Sequence, residues 1–286
     1  MRRSLLFIPS NSPAMIQNAD VFDADAVIFD LEDAVFLSEK DAALRLLQTF
    51  VQRFRFENTE RIVRINGLDT PLGLHDLDVI CSDDIDTIML PKATLQWTLM
   101  CVNTLKRIES EKGMKKQIGL IPIIENALSL MEINQIAQTE RVTGLLLGAE
   151  DLATNLEVNR TAEGLEILIP RGLVVLAAKA HGIDAIDTPF VDAQDLVGLK
   201  NDATLAKGLG MNAKACIHPN QVDVINRVYS PNQKDILQAQ KIMKAVQEAQ
   251  NNQKGVFSVD GKMVDKPIID RAIKTLEKAK KWGIIT

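Results

Sequence analysis

Asp25-Ala26-Val27-Ile28-Phe29-Asp30-Leu31-Glu32-Asp33 reads as a short strand that runs straight into carboxylates. Its apolar core does not alternate with polar residues. That pattern fits a strand buried on both faces, which is the parallel case. Seven other runs repeat it: Ser4–Ile8, Arg61–Asn66, Ile85–Leu90, Ile118–Ile124, Val142–Leu147, Ile183–Ile186 and Ala213–Ile217. Amphipathic stretches such as Glu39–Arg53, Leu95–Glu109 and Leu165–Ala180 lie between them. Strand alternating with helix selects the α/β class. Eight such units predict a closed (β/α)8 TIM barrel, since a typical one takes about 250 residues. A doubly wound open sheet stays open as an alternative, although no Gly-x-Gly-x-x-Gly follows the first strand.

The pattern changes after the eighth unit. Asp235–Gln250 reads as a helix, Gly255–Val264 as a hairpin turning at Asp260-Gly261, and Pro267 opens a last helix. The expected organisation is a barrel domain over 1–229 and a C-terminal helix–hairpin–helix appendage over 230–286. The appendage would cover the barrel mouth or reach a neighbouring subunit.

Composition narrows the function. The chain has 286 residues, 46% of them hydrophobic, enough for a sizeable core. A net charge of −5 argues against a nucleic-acid groove, so no nucleic-acid partner is expected. It also offers no long-range attraction to an anionic substrate, which must then be held by local groups. Cys81, Cys101 and Cys216 are odd in number and widely spaced, which suits a reduced, cytoplasmic setting better than a disulfide framework. The apolar run at Leu5–Pro9 is too short for a signal peptide or a membrane span.

Barrel enzymes place their chemistry at the C-terminal ends of the strands. In this chain those ends read Asp30-Leu31-Glu32-Asp33, then Arg64 and Asn66, Pro91-Lys92, Glu125-Asn126, Gly148-Ala149-Glu150-Asp151, Asp187, and His218-Pro219. Four carboxylate-bearing ends would meet at one mouth, a costly arrangement without a cation. Oxygen donors with few histidines favour Mg²⁺ or Mn²⁺ over zinc, and Glu125 and Asp151 are the expected ligands. Arg64 and Lys92 would stand beside them. Any one of these acids could simply cap the next helix, and Arg64 could serve a structural ion pair. The functional reading rests on the set. His75 and His181 read as structural or solvated, and His218 as part of a turn. No zinc-type His spacing, Gly-x-Ser-x-Gly or Cys/His signature is present.

Seven segments in order carry a resemblance: Arg3-Ser4-Leu5-Leu6-Phe7-Ile8-Pro9, Phe29-Asp30-Leu31-Glu32-Asp33-Ala34-Val35, Ile62-Val63-Arg64-Ile65-Asn66, Leu90-Pro91-Lys92, Ile124-Glu125, Gly148-Ala149-Glu150-Asp151-Leu152 and Gly261-Lys262-Met263-Val264-Asp265-Lys266-Pro267. Together they resemble the citrate lyase beta subunit family, the citryl-CoA lyase group of the malyl-CoA-lyase-like aldolases. Arg160-Thr161-Ala162-Glu163-Gly164 adds to the likeness. The resemblance implies a Mg²⁺-dependent retro-aldol cleavage of a citryl thioester to oxaloacetate and an acetyl thioester. It implies Glu125 and Asp151 as metal ligands and Arg64 on the substrate carboxylate or developing enolate, with Lys92, Ala149 and Glu150 lining the substrate. The aspartate matching Asp265 is expected to reach the site from a neighbouring subunit's C-terminal segment and to transfer a proton, with Glu32 and Asp33 as other candidates. Arg3, Phe7 and Asn11 are expected at the thioester carrier. The implied partners are an acyl carrier protein, an acyl-transferase subunit and further copies of the chain, as a trimer or hexamer. Many CoA-using relatives have Pro-Gly in the first loop and a lysine on the first helix. Here Pro9-Ser10-Asn11 and Asn18 stand instead, which favours a carrier-bound thioester over free CoA. Citramalyl-CoA or malyl-CoA cleavage and a non-catalytic assembly subunit are the alternatives.

Overall fold

The computed structural model describes residues 1–251 and 257–285. Eight parallel strands close into a barrel in chain order: β1 (Ser4–Pro9), β2 (Ala26–Asp30), β3 (Glu60–Arg64), β4 (Thr87–Leu90), β5 (Gly119–Ile124), β6 (Gly144–Leu147), β7 (Asp184–Asp187) and β8 (Ala213–Cys216). The helices between them are α1 (Pro13–Gln17), α2 (Lys40–Arg53), α3 (Pro71–Ile80), α4 (Leu95–Lys112), α5 (Ala127–Met131), α6 (Ile133–Gln138), α7 (Ala149–Asn155), α8 (Leu168–Ala180), α9 (Leu196–Leu209) and α10 (Pro219–Tyr229). The chain divides into two compact units, Met1–Asn226 and Arg227–Thr286.

Alternation along each strand sorts its side chains between the two buried faces. Leu5, Ala26, Ile28, Ile62, Met89, Ile121, Ile123, Leu146, Ile186, Ala213 and Ala215 fill the lumen. The opposite parity faces the helices, as where Phe29 meets Phe50 of α2 edge-on at 6.0 Å. Both faces are dry, so the strands lack the polar alternation of a half-exposed sheet.

The N-terminal rim is laced by charge. Arg2 donates to Glu60 through Nε at 2.5 Å and to Asp184 through Nη1 at 2.9 Å. Arg3 forks onto Asp25 at 2.9 and 2.7 Å. These pairs tie strand starts together at the end of the barrel that ordinarily serves stability.

In the second unit α11 (Gln233–Asn251) packs with α12 (Lys266–Lys281), and β9 (Phe257–Val259) pairs antiparallel with β10 (Lys262–Val264) across Asp260-Gly261. The turn has the expected positive φ, 51° at Asp260 and 77° at Gly261. Gly255 and Val256 of the expected hairpin lie outside the described residues. Among the described residues no helix is long and apolar enough to cross a membrane.

Candidate active site at the C-terminal rim

Register brings Pro9 beside Asp30, and Asp30 beside Arg64. Asp30 has the lumen-facing parity of Ala26 and Ile28, and Arg64 that of Ile62. The two therefore meet inside the barrel. Arg64 donates to Asp30 through Nε at 2.7 Å and Nη2 at 2.6 Å, a bidentate fork. Phe7 lies 5.0 Å below the guanidinium carbon and supports it as a cation–π partner. The remaining Asp30 contacts are backbone ones: Glu32 N at 2.9 Å and Ala34 N at 3.1 Å. Arg64 is held charged: burial works against the charge, but Asp30 outweighs it, with Glu32 and Asp33 adding to the effect. Its Nη1 edge is only loosely engaged, 3.3 Å from Glu32 and 3.5 Å from Asp33.

Glu32 is buried, and its carbonyl, with that of Leu31, accepts from Lys40 Nζ at 2.8 Å. Burial pushes its carboxyl up to about 7; Arg64 opposes the rise and Asp33 adds to it. Glu125 follows β5 with the parity of Ile121 and Ile123 and is also buried. Its carboxyl rises to about 8, chiefly from burial; the Lys92 N–H opposes this, and the charges of Glu32 and Asp151 reinforce it. Lys92, whose N–H donates to Glu125, adopts φ 49°. A residue with a Cβ pays about 1–2 kcal/mol for the left-handed region, and such strain is characteristic of functional sites. The Lys92 amine is half-exposed and stands 3.7 Å from Glu32.

Gly148, the N-cap of α7, makes room for Glu125. A Cβ there would sit 2.6 Å from Glu125 Oε2 and 2.7 Å from its Cβ. The first turn of α7 then carries Glu150 and Asp151, both exposed. Glu150 is paired with Arg160 at 3.0 Å, and Arg160 also binds Glu166. Ala149 N donates to Thr188 Oγ1 at 3.3 Å. Phe7, Pro9, Asp30, Arg64, Pro189 and Ile217 line a mouth cavity of about 390 Å³.

The rim thus gathers Glu32, Asp33, Arg64, Lys92 and Glu125, with Asp151 near enough to act on Glu125. Asn11 stands in the loop after β1 and donates to Glu39 at 2.6 Å. Arg3 is not brought to this rim: it precedes β1 and is spent on Asp25 at the opposite end, which separates it from Phe7 and Asn11. Asp265 lies in the second unit, exposed, where it caps α12 by accepting from Ile268 N at 3.2 Å. His218 bonds its neighbour Asn220, and His181 bonds Asn134.

A second expectation, after that for Arg3, is corrected. Asp187 does not join the mouth, because Ile186 faces the lumen and its neighbour must face outward. It accepts instead from Arg171 at 2.8 Å and from Lys214 at 2.6 Å; the partly buried Asp202 completes the quartet. Three carboxylate-bearing strand ends converge, not four. Sequence reasoning missed Asp30 as the clamp on Arg64 and missed Lys214 altogether. Parity counted from Ile28 and Ile186 could have found the first and excluded Asp187.

A family model described as HpcH/HpaI aldolase/citrate lyase matches residues 3–219, which include every strand of the barrel. The chain belongs to that family. It is 39% identical to the citrate lyase subunit beta of Haemophilus influenzae over 283 residues, covering 98% of this chain and 97% of the relative. It is 34% identical to a (3S)-malyl-CoA thioesterase of Cereibacter sphaeroides strain KD131 over 277 residues, covering 97% and 94%. Among solved structures, the protein CitE of Mycobacterium tuberculosis in complex with magnesium, acetoacetate and coenzyme A matches with a TM-score of 0.76 at 29% identity, covering 98% of each chain. The second unit is outside the family model but within the span shared with these relatives.

Proposed function

We propose that this chain is a Mg²⁺-dependent carbon–carbon lyase that cleaves a citryl thioester to oxaloacetate and an acetyl thioester. The observation that carries the reading is Arg64, forked onto Asp30 in the barrel mouth above two buried, charge-starved glutamates. The relatives named citrate lyase subunit beta support the substrate class.

The donor set fits magnesium. The donors are all carboxylate oxygens, and Glu125 is opposed by one backbone N–H, with its pKa raised to about 8. Among the described residues no group of three or more His, Cys, Asp and Glu could hold a metal. Mg²⁺ is commonly held by one or two carboxylates, with water and substrate filling the other positions. Glu125 and Asp151 would hold it. When bound, Mg²⁺ supplies Lewis-acid polarisation of the hydroxy acid. Arg64 offers its loosely engaged Nη1 edge to the enolate oxygen that develops on the thioester. Glu32, with its carboxyl near 7, is poised to exchange a proton at neutral pH. Asp33 at the same rim is exposed, and Asp265 of a neighbouring copy is the other candidate for this role. Lys92, Ala149 and Glu150 border the bound acid, while Phe7 and Asn11 face the thioester carrier.

The chain works in this reading as a cytoplasmic subunit beside an acyl carrier protein and an acyl transferase. Its three cysteines are all buried and unpaired, which suits a reducing compartment. The test is oxaloacetate release from citryl-CoA and from the carrier-bound citryl thioester, in Mg²⁺ and in EDTA. Cleavage of the carrier form in Mg²⁺ alone is expected. Inertness toward both, with turnover of malyl-CoA, would transfer the reading to the malyl thioesters that the 34% relatives suggest.

A further inference from the structure

The loop that carries Glu32 to the mouth is not held by regular structure. Residues 31–36, between β2 and α2, contain no helix or strand. Their peptide groups are satisfied one by one instead. Leu31 N donates to the Arg64 carbonyl at 2.9 Å, and Val35 N to the Glu32 carbonyl at 3.1 Å. Asp30 takes the N–H groups of Glu32 and Ala34. The carbonyls of Leu31 and Glu32 both accept from one side chain, Lys40, whose Nζ lies 2.8 Å from each. The peptide joining Leu31 to Glu32 is thus gripped at its N–H by Asp30 and at its oxygen by Lys40.

Lys40 stands against the local rules of its helix. It is the first residue of α2, where the dipole disfavours a cation, and the preceding Glu39 supplies no capping bond. Among the described residues its half-buried ammonium forms no ion pair, although its charge is felt at Asp76. A local rule broken without a local gain points to a role elsewhere. That role is to set a direction. With both carbonyls fixed, the Glu32 side chain leaves the backbone along one course. Its two carboxylate oxygens then stand 3.3 Å from Arg64 Nη1 and 3.7 Å from Lys92 Nζ.

We propose that Lys40 is a positioning residue for the lyase reaction. By holding the Leu31 and Glu32 carbonyls it aims the Glu32 carboxylate at the space beside Arg64, acting through the backbone and not on the substrate. The proposal rests on the reading of Glu32 as the proton carrier.

Lys40→Met keeps the stem and removes the donor. Its kcat on the citryl thioester should fall by about 10–100-fold, the range expected when a reacting group is misplaced by about 1 Å. KM and the calorimetric Mg²⁺ affinity should stay near wild type, because Arg64, Glu125 and Asp151 are untouched. Lys40→Arg restores a charged donor able to reach both carbonyls and should recover most of the rate. Amide exchange of the full chain, read by mass spectrometry, gives a second measure that needs no substrate. In Lys40→Met, residues 31–36 should exchange about tenfold faster while the barrel strands keep their protection, because two charge-assisted hydrogen bonds no longer oppose local opening. Wild-type kcat in Lys40→Met, an equal loss in Lys40→Arg, or unchanged exchange over 31–36 overturns the proposal. So does a variant in which every strand loses protection, since Lys40 would then hold the barrel and not the loop. A wild-type chain inert toward citryl thioesters sinks the proposed reaction instead, and the exchange measurement alone then decides whether Lys40 fixes the loop.

Discussion

Arg64 shows how one side chain can be both anchored and available. Two of its nitrogens are fixed on Asp30 at 2.7 and 2.6 Å, so the third keeps a defined direction. Arg64→Ala removes a preorganised donor, and loss of such a donor typically lowers kcat by 10²–10³-fold, about 2.7–4 kcal/mol. Arg64→Lys should recover little of this, because an ammonium cannot bridge both Asp30 oxygens and still point onward. Steady-state kinetics on the citryl thioester decide the matter, and near-wild-type turnover by the lysine variant would remove the fork from the mechanism. Glu32→Gln should abolish turnover while Mg²⁺ affinity, measured by calorimetry, stays within a few-fold of wild type. A large loss of affinity would make Glu32 a ligand and not a proton carrier. Much of this was legible in the sequence: Glu32, Asp33, Arg64 and Glu125 follow from asking what ends each apolar run. The Asp30 clamp was not, because it depends on register between β2 and β3. Asp187 was misread because a strand buried on both faces carries no polar marker of which way its last residue points.

At the scale of elements, the β6–α7 junction and the β7–β8 backing do different work. Gly148 lets α7 start against Glu125, and any Cβ there would overlap the carboxylate. Gly148→Ala must displace either the helix start or Glu125, an overpacking cost of about 1–3 kcal/mol. Its expected signature is weakened Mg²⁺ binding in calorimetric titration with little change in the circular dichroism spectrum. Unaltered binding would mean that Glu125 is not a ligand. Behind β7 and β8, Lys214 donates to Asp187, Asp202 and the Thr188 carbonyl, and it is fully buried. Lys214→Ala would strand two carboxylates beside Arg171 alone. Breaking a buried pair in this way costs about 3–5 kcal/mol, to be read from the urea midpoint. The eight strands were legible to within two residues at most ends, since continuous apolar runs and amphipathic spacers are strong signals. The quartet was invisible because Arg171, Asp187, Asp202 and Lys214 are scattered along the sequence and only barrel closure unites them.

For the whole molecule, the acid pair links metal, proton and stability. The metal-free folded chain holds Glu32 and Glu125 at about 7 and about 8, well above the ordinary 4.5. A carboxyl with a raised folded pKa contributes stability that is fully present below its unfolded pKa. That stability is lost as pH rises through the folded value, because the unfolded chain releases the proton first. The metal-free barrel should therefore lose stability from about pH 5 toward pH 8. Mg²⁺ acts in the opposite sense. It binds the ionised carboxylates, so its affinity grows as Glu125 deprotonates, and at 100 times its Kd it stabilises the folded state by about 2.7 kcal/mol. The gap in melting temperature between Mg²⁺ and EDTA samples should be small at pH 6 and widen steadily to pH 8. Titrations at pH 7 in buffers of different ionisation enthalpy should show proton release on binding. Glu125→Gln should make the EDTA curve shallower, leaving the part that Glu32 contributes, and close the gap, since Glu125 shares in both slopes. A gap that stays constant with pH in the wild type would break the link between the buried glutamates and the metal. The barrel rim would then be no more than a set of helix caps around a bound arginine.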